Sequence, residues 1–246
     1  MEIFLGAQIP GNSTTFEEMK AVAQTMDRGL WHSAWTYDHF LPPEAFLDEN
    51  DHSLEGWATL TGLAVLTNRV RWGCLVTGNT YRNPALLAHM AATVDQMTGG
   101  RLEFGIGAAW HEREHRAYGW DFPSLRERSD RLEEACALIK ALFTAEGPVD
   151  FHGEYYRLER APFAPRCLQR PHGPPLAGGG GETRTLRPLA RYGDVMNVFG
   201  TPEIVRHKIQ VLERHCADVG RDPAEITRTI FLPAALQDDP DKAARL

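Results

Sequence analysis

Short apolar runs alternate along this chain with longer stretches whose apolar residues recur at helical spacing. That alternation marks repeated strand–helix units and a mainly parallel sheet. Residues 3–9 predict a first strand and Phe16–Arg28 a first helix, with Thr14 or Thr15 and then Glu17 and Glu18 as its capping signal and Gly29 as its end. The second unit pairs Ser33–Thr36 with a helix over 57–66. The third pairs an alternating strand over 69–77 with the helix Pro84–Met97, proline standing where its missing N–H costs nothing. A fourth strand over 101–107 precedes a charged helix over 124–143 that gathers Leu132, Ala135, Leu138, Ile139 and Leu142 on one face.

Residues 148–175 break this rhythm. A small hairpin over 149–158, turning at Gly153, and a Pro-rich connection predict an insertion within a single domain covering 1–246, because no flexible Gly/Ser tract separates two units. Strands at Pro175–Gly178, 195–199 and about 226–236 follow, with helices over 182–192 and 202–219 between them. A further helix opens at Asp238. Parallel barrels close with eight strands over about 250 residues. The expected fold is therefore α/β, a (β/α)8 TIM barrel lacking its eighth strand and helix, and a C-terminal truncation is expected because the chain ends within a helical pattern.

Length and charge narrow the function. The 246 residues are enough for one sizeable core. A net charge of −7 without any basic run argues against a nucleic-acid partner and against docking on an acidic membrane surface. No stretch reaches the ~20 apolar residues that span a bilayer. The N-terminal apolar run has no basic region before it, so it is expected to be a strand rather than a signal peptide. Cys74, Cys136, Cys167 and Cys216 form no CxxC pair, which speaks against a disulfide scaffold or zinc ribbon and for a reducing cytoplasm.

In a parallel barrel, chemistry collects at the C-terminal ends of the strands. Those positions here are Asp38 and His39, Gly78 and Asn79, residues 108–112, Gly178 to Gly181, and Asn197. They are polar or glycine-rich, whereas the strand interiors are apolar. Asp38-His39 sets a carboxylate beside the side chain that titrates near neutral pH, a pair suited to moving a proton or polarising a carbonyl. A capping Asp beside a satisfied loop His is the plainer alternative. The run Gly178-Gly179-Gly180-Gly181, followed by Glu182 and Thr183 at an expected helix start, lets bare backbone N–H groups approach a phosphate. A flexible turn is the plainer alternative there. Gly105-Ile-Gly107 lacks the third glycine of a dinucleotide fingerprint and predicts a close-packed strand end beneath a planar ring.

His111-Glu-Arg-Glu-His115 matches the HExxH pattern of zinc hydrolases. Its inner pair is Arg-Glu, so the segment has no apolar back face, and it follows a strand directly. A metal site is therefore not expected. Glu114 and His115 are expected in a solvated first helical turn, with Glu112 overhanging the pocket.

Several segments together resemble the luciferase-like monooxygenases, and within them the branch that uses the deazaflavin coenzyme F420. They are Trp35-Thr-Tyr-Asp-His39, Arg69-Val-Arg-Trp-Gly73, Val76-Thr-Gly-Asn-Thr-Tyr-Arg-Asn-Pro84, Gly99-Gly-Arg-Leu102, Gly105-Ile-Gly-Ala-Ala-Trp110, Ala177-Gly-Gly-Gly180 and Gly200-Thr-Pro-Glu203. The resemblance implies an oxidoreductase moving a hydride between F420 and an unidentified small organic substrate. It implies that Asp38 contacts the pyrimidine edge of the ring and that His39 stands beside the reacting ring as proton donor or substrate stabiliser. It further implies a cis peptide at Leu75–Val76 under the ring, Ala108 and Ala109 close to it, and Gly178 to Gly181 at the phosphate. Some deazaflavin dehydrogenases carry a catalytic glutamate shortly after the Gly-x-Gly. Trp110 stands there in this chain, and Glu112 is the nearest acid. The alternatives are a two-component monooxygenase using reduced FMN from a separate reductase, and a non-catalytic flavin-binding protein. A homodimer is compatible with each.

Overall fold

Helix α1 (Phe16–Arg28) begins where Thr15 and Glu18 cap each other reciprocally, the Glu18 N–H donating to the Thr15 hydroxyl and the Thr15 N–H to the Glu18 carboxylate. Such a cap stabilises a helix start by about 1 kcal/mol. The computed structural model describes residues 3–42, 52–169 and 175–234. The remaining helices are α2 (Gly56–Val65), α3 (Pro84–Met97), α4 (Glu112–Tyr118), α5 (Leu125–Thr144), α6 (Leu186–Tyr192) and α7 (Pro202–Asp218).

Seven strands form one parallel sheet in the order β1 (Gly6–Gln8), β2 (Ser33–Thr36), β3 (Arg71–Gly78), β4 (Leu102–Gly107), β7 (Pro175–Gly178), β8 (Val195–Val198) and β9 (Thr227–Ile230). The insertion is an antiparallel hairpin of β5 (Val149–His152) and β6 (Arg157–Ala161), outside that sheet. The predicted strand–helix order is observed. A closed barrel is not: among the described residues β1 and β9 are the two edges of the sheet and do not pair with each other. The helix expected from Asp238 lies outside the described residues.

The register explains where the core sits. Ala34, Trp72 and Leu102 are in register across β2, β3 and β4, as are Thr36, Cys74 and Phe104, and all six are buried. This is the helix-facing side, where Phe104 meets Trp57 of α2 and Phe143 of α5. The opposite side carries Ser33, Trp35, Arg71, Gly73 and Glu103. Trp35 lies over Gly73, and a side chain at Gly73 would collide with its ring, so glycine is required there. A second core, with Leu186, Leu189, Met196 and Leu212, joins α6, β8 and α7.

Three elements differ from expectation. The first strand is short: only residues 6–8 pair with β2, and Ile3, Phe4 and Leu5 are exposed. Helix α6 starts at Leu186 rather than 182, because the Gly181 carbonyl accepts from both Thr185 N–H and Leu186 N–H, closing a turn first. Thr183 is consequently an exposed loop residue and not part of the first helical turn. Helix α4 is a full element whose inward side is Glu114 and His115, so no apolar periodicity announces it.

Candidate active site

Because the sheet is parallel, β2, β3, β4 and β7 deliver their C-terminal ends to one edge. Strand β2 runs out into Tyr37, Asp38 and His39. The Asp38 carboxylate is buried, accepts the Gly78 N–H at 3.0 Å, and takes both nitrogens of Arg82, at 2.6 and 3.0 Å. Burial raises its pKa against the pull of Arg82. Burial also works against the Arg82 charge, but Asp38 and Glu55 outweigh it and hold that guanidinium protonated. Asp38 is thus the anchor of the loop after β3.

His39 is held differently. Its Nδ1 lies 2.9 Å from Glu114 Oε1, and its ring meets Tyr37, Trp110 and His111 edge-on, with centroids 5.1 to 5.5 Å apart. Glu114 has no exposed surface. Its Oε1 also accepts the Tyr81 hydroxyl, and its Oε2 accepts the backbone N–H groups of Phe40, at 2.8 Å, and Leu41, at 3.2 Å. Burial alone would raise the Glu114 pKa. The hydrogen bonds from His39, Tyr81 and Phe40 overcome it and hold the carboxyl at about 2. The Tyr81 phenol is pushed well up by burial and by the same carboxylate.

The solvated turn expected for Glu114 and His115 is therefore overturned: both are fully buried. Their surroundings are polar and aromatic, which is why a carboxylate and an imidazole are accommodated there. His115 receives no role in metal binding, since its Nδ1 faces the His111 carbonyl at 2.8 Å and its Nε2 the Thr80 hydroxyl at 2.7 Å. Glu112 is exposed and pairs with Arg116 at 2.7 Å, so the structure does not bring it to His39. Trp110 stands beside His39 instead, 59% exposed. His39, His111 and Glu114 do place ligand atoms within 4.8 Å of one another. In this arrangement the Glu114 oxygens accept from His39, Tyr81, Phe40 and Leu41, so the cluster is joined as a hydrogen-bond network.

The bond between Leu75 and Val76 is cis, and the pairing of β3 with β4 shifts register between Cys74 and Thr77. Gln8 reaches over from β1 to donate to the Leu75 carbonyl at 2.8 Å. Val76 is half-buried, and Gly107 and Gly178 approach it so closely that a Cβ on either would lie 2.7 or 2.6 Å from a Val76 methyl. Ala108 and Ala109 follow, half-buried, Ala109 in the left-handed region at φ 61°. The result is a floor of small side chains at the ends of β3, β4 and β7. It fits a flat ring.

Asn79 is buried, donates its N–H to the Gly107 carbonyl at 2.9 Å and its amide to the Tyr156 hydroxyl at 3.1 Å. It ties β3 to the hairpin, beside a cavity of about 400 Å³ lined by Thr80, Arg82, Trp120 and Arg131 among others. In the glycine loop, Gly179 has φ 138°, a conformation L side chains rarely adopt, and Gly180 faces open space. That loop is polar backbone with room above it.

Tyr81 and Arg82 received no site role from the sequence, and Glu114 was expected in solvent. The available signal was their place just after strand ends, in segments already singled out for other residues. Among the described residues, no helix is long and apolar enough to cross a membrane.

Comparison with known proteins places the chain in a family. A family model described as luciferase-like monooxygenase matches residues 1–246. An F420-dependent glucose-6-phosphate dehydrogenase of Kineococcus radiotolerans is 34% identical over 228 residues, covering 89% of this chain and 64% of the relative. One from Amycolatopsis mediterranei is 30% identical over 216 residues, covering 86% and 62%. The chain thus spans under two thirds of the length of these relatives. A solved F420-dependent secondary alcohol dehydrogenase, in complex with an F420-acetone adduct, superposes with a TM-score of 0.86 at 24% identity, over 100% of this chain and 73% of that one. At that identity the likeness speaks for the fold, an α/β barrel type.

Proposed function

This chain belongs to the luciferase-like monooxygenase family, and from that premise we propose that it moves a hydride between coenzyme F420 and an alcohol–carbonyl substrate pair. The observation that carries this reading is His39, an imidazole anchored at Nδ1 by Glu114 and ringed by Tyr37, Trp110 and His111 where β2 ends. An alcohol and its carbonyl differ by a hydride and a proton, so the reaction needs a proton-handling group beside a hydride carrier. The relatives fit, since their names describe dehydrogenases dependent on F420.

When bound, F420 supplies the hydride donor or acceptor. Val76, Ala108 and Ala109 would support its ring, the Leu75–Val76 segment and Gly78 would line its edge, and Gly178 to Gly181 would receive its phosphate through backbone N–H groups. Thr183, exposed at the end of that loop, is the nearest hydroxyl for the same phosphate. Asp38, engaged with Arg82, acts by holding the loop after β3 in place rather than by presenting a free carboxylate. His39 takes the hydroxyl proton during alcohol oxidation and returns it during carbonyl reduction. Trp110 shields that exchange from water on one side.

The test is titration of the purified chain with F420 and with FMN, each oxidised and reduced. Binding of F420, with turnover of simple alcohols or ketones lowered about 100-fold or more in His39→Asn, is the expected result. Tight FMN binding with none for F420 replaces the proposal with a reduced-FMN monooxygenase served by a separate reductase. Binding of either cofactor without turnover leaves a flavin-binding protein.

A further inference from the structure

We propose that Glu114 is the positioning residue of His39: by accepting from Nδ1–H it fixes the ring's tautomer and orientation and leaves Nε2 as the proton-accepting atom. The inference deepens the role given to His39 above and rests on that reading for its functional consequence. Its structural content stands on the hydrogen bonds alone.

An ionised carboxylate accepts and does not donate. With Glu114 Oε1 at 2.9 Å from His39 Nδ1, the ring must carry its proton at Nδ1, whether neutral or charged. The neutral ring then has its lone pair at Nε2. Tyr81 shares Oε1, the backbone N–H groups of Phe40 and Leu41 occupy Oε2, and His111 Nδ1 lies farther off, 3.6 Å from Oε1, so the other groups hydrogen-bonded to this carboxylate are all donors. An amide in its place would turn an N–H toward one of these donors. The groups facing His39 are Tyr37 from the end of β2, Trp110 and His111 from the loop after β4, and Glu114 from α4. None besides Glu114 is a carboxylate, and Asp38, next in sequence, is turned to Arg82.

A merely structural anchor for the loop after β2 does not require a buried charge, because apolar packing of the same volume often serves as well or better. What a carboxylate adds is a fixed proton position. During alcohol oxidation the O–H bond breaks and its proton passes to Nε2, while the hydride leaves carbon for the deazaflavin acceptor of the proposed reaction and the C=O bond forms. The positive charge that develops on His39 lies against Glu114.

The decisive measurement is long-range proton–nitrogen NMR of the histidine rings in the full chain without cofactor, with the His39 signals assigned by their loss in His39→Gln. In its neutral form, wild-type His39 is expected as the Nδ1–H tautomer, and Glu114→Gln is expected to move it to a mixture or to Nε2–H. A wild-type Nε2–H tautomer, or an unchanged tautomer in a folded Glu114→Gln, overturns the proposal. Should Glu114→Gln not fold, the wild-type ring and the shorter carboxylate of Glu114→Asp decide. In turnover, Glu114→Gln is expected to lower kcat about 10- to 100-fold, the scale for removing a partner that orients a functional histidine, with KM and F420 affinity little changed. A loss in F420 affinity without loss in kcat contradicts it. Failure of F420 to bind at all sinks the preceding reading and leaves the tautomer result intact.

Discussion

Arg82 closes on Asp38 through two hydrogen bonds, Nη1 to Oδ2 at 2.6 Å and Nη2 to Oδ1 at 3.0 Å, and extends the same guanidinium to Glu55. The pair links the end of β2 to the loop before α3 and to the N-cap of α2. Removing one partner of a buried pair leaves the other charge without compensation, at about 3–5 kcal/mol. Arg82→Met is expected to cost that much in urea unfolding, and Arg82→Lys to recover only part of it, since an ammonium cannot reproduce the two-pronged contact. A loss below 1 kcal/mol in Arg82→Met contradicts this account.

Glu114 predicts an acid limit to stability. Its carboxyl is held at about 2 in the folded protein, against 4.5 for an unperturbed glutamate. A folded-state pKa below the unfolded one stabilises the fold above the unfolded value, and that stability drains as pH falls from about 4.5 to about 2. The shift corresponds to about 3 kcal/mol. Asp38, shifted upward by burial, has the opposite slope, and comparison with Glu114→Gln cancels it. Wild type should lose about 3 kcal/mol more than Glu114→Gln between about pH 6 and about pH 2. Parallel pH profiles from denaturant titrations contradict the assignment.

The glycines around Val76 predict a rescue. Gly178→Ala would place its methyl 2.6 Å from Val76 Cγ1. Overpacking of this kind costs about 1–3 kcal/mol. Val76→Ala removes the colliding methyl, so Gly178→Ala with Val76→Ala should be more stable than the sum of the single losses, a positive coupling in a double-mutant cycle. Gly105→Ala should show no such full rescue, because its nearest obstacle is the Cys74 backbone carbonyl. Additive losses at Gly178 and Val76 rule out the contact.

The HExxH segment predicts no metal dependence. Both ring nitrogens of His115 are engaged, and Glu112 is turned to Arg116. Elemental analysis of protein purified without chelator should find no stoichiometric zinc, and melting temperature should not change on adding a strong chelator. Stoichiometric zinc lost to the chelator together with stability reverses this conclusion.

The strand–helix order was legible because its elements bury apolar faces. Helices α1 and α3 fall where Thr15 and Pro84 signal them, and β3 falls within the run 69–77 that predicts it. The His39 and Gly178 neighbourhoods were legible because polar and glycine-rich residues stand at the ends of apolar strands. Helix α4 was not, since its buried side is Glu114 and His115, and hydrophobic periodicity carries no signal for a buried charge.

Sequence by itself determined the order of elements, and Asp38 and His39 as residues at the C-terminal edge of the sheet. Only the tertiary structure decided how they divide the work. Asp38 and His39 are neighbours in the chain, yet one turns to Arg82 and the other to Glu114, 75 residues away. That choice depends on which donors and acceptors long-range packing sets within about 3 Å, a distance no local pattern encodes.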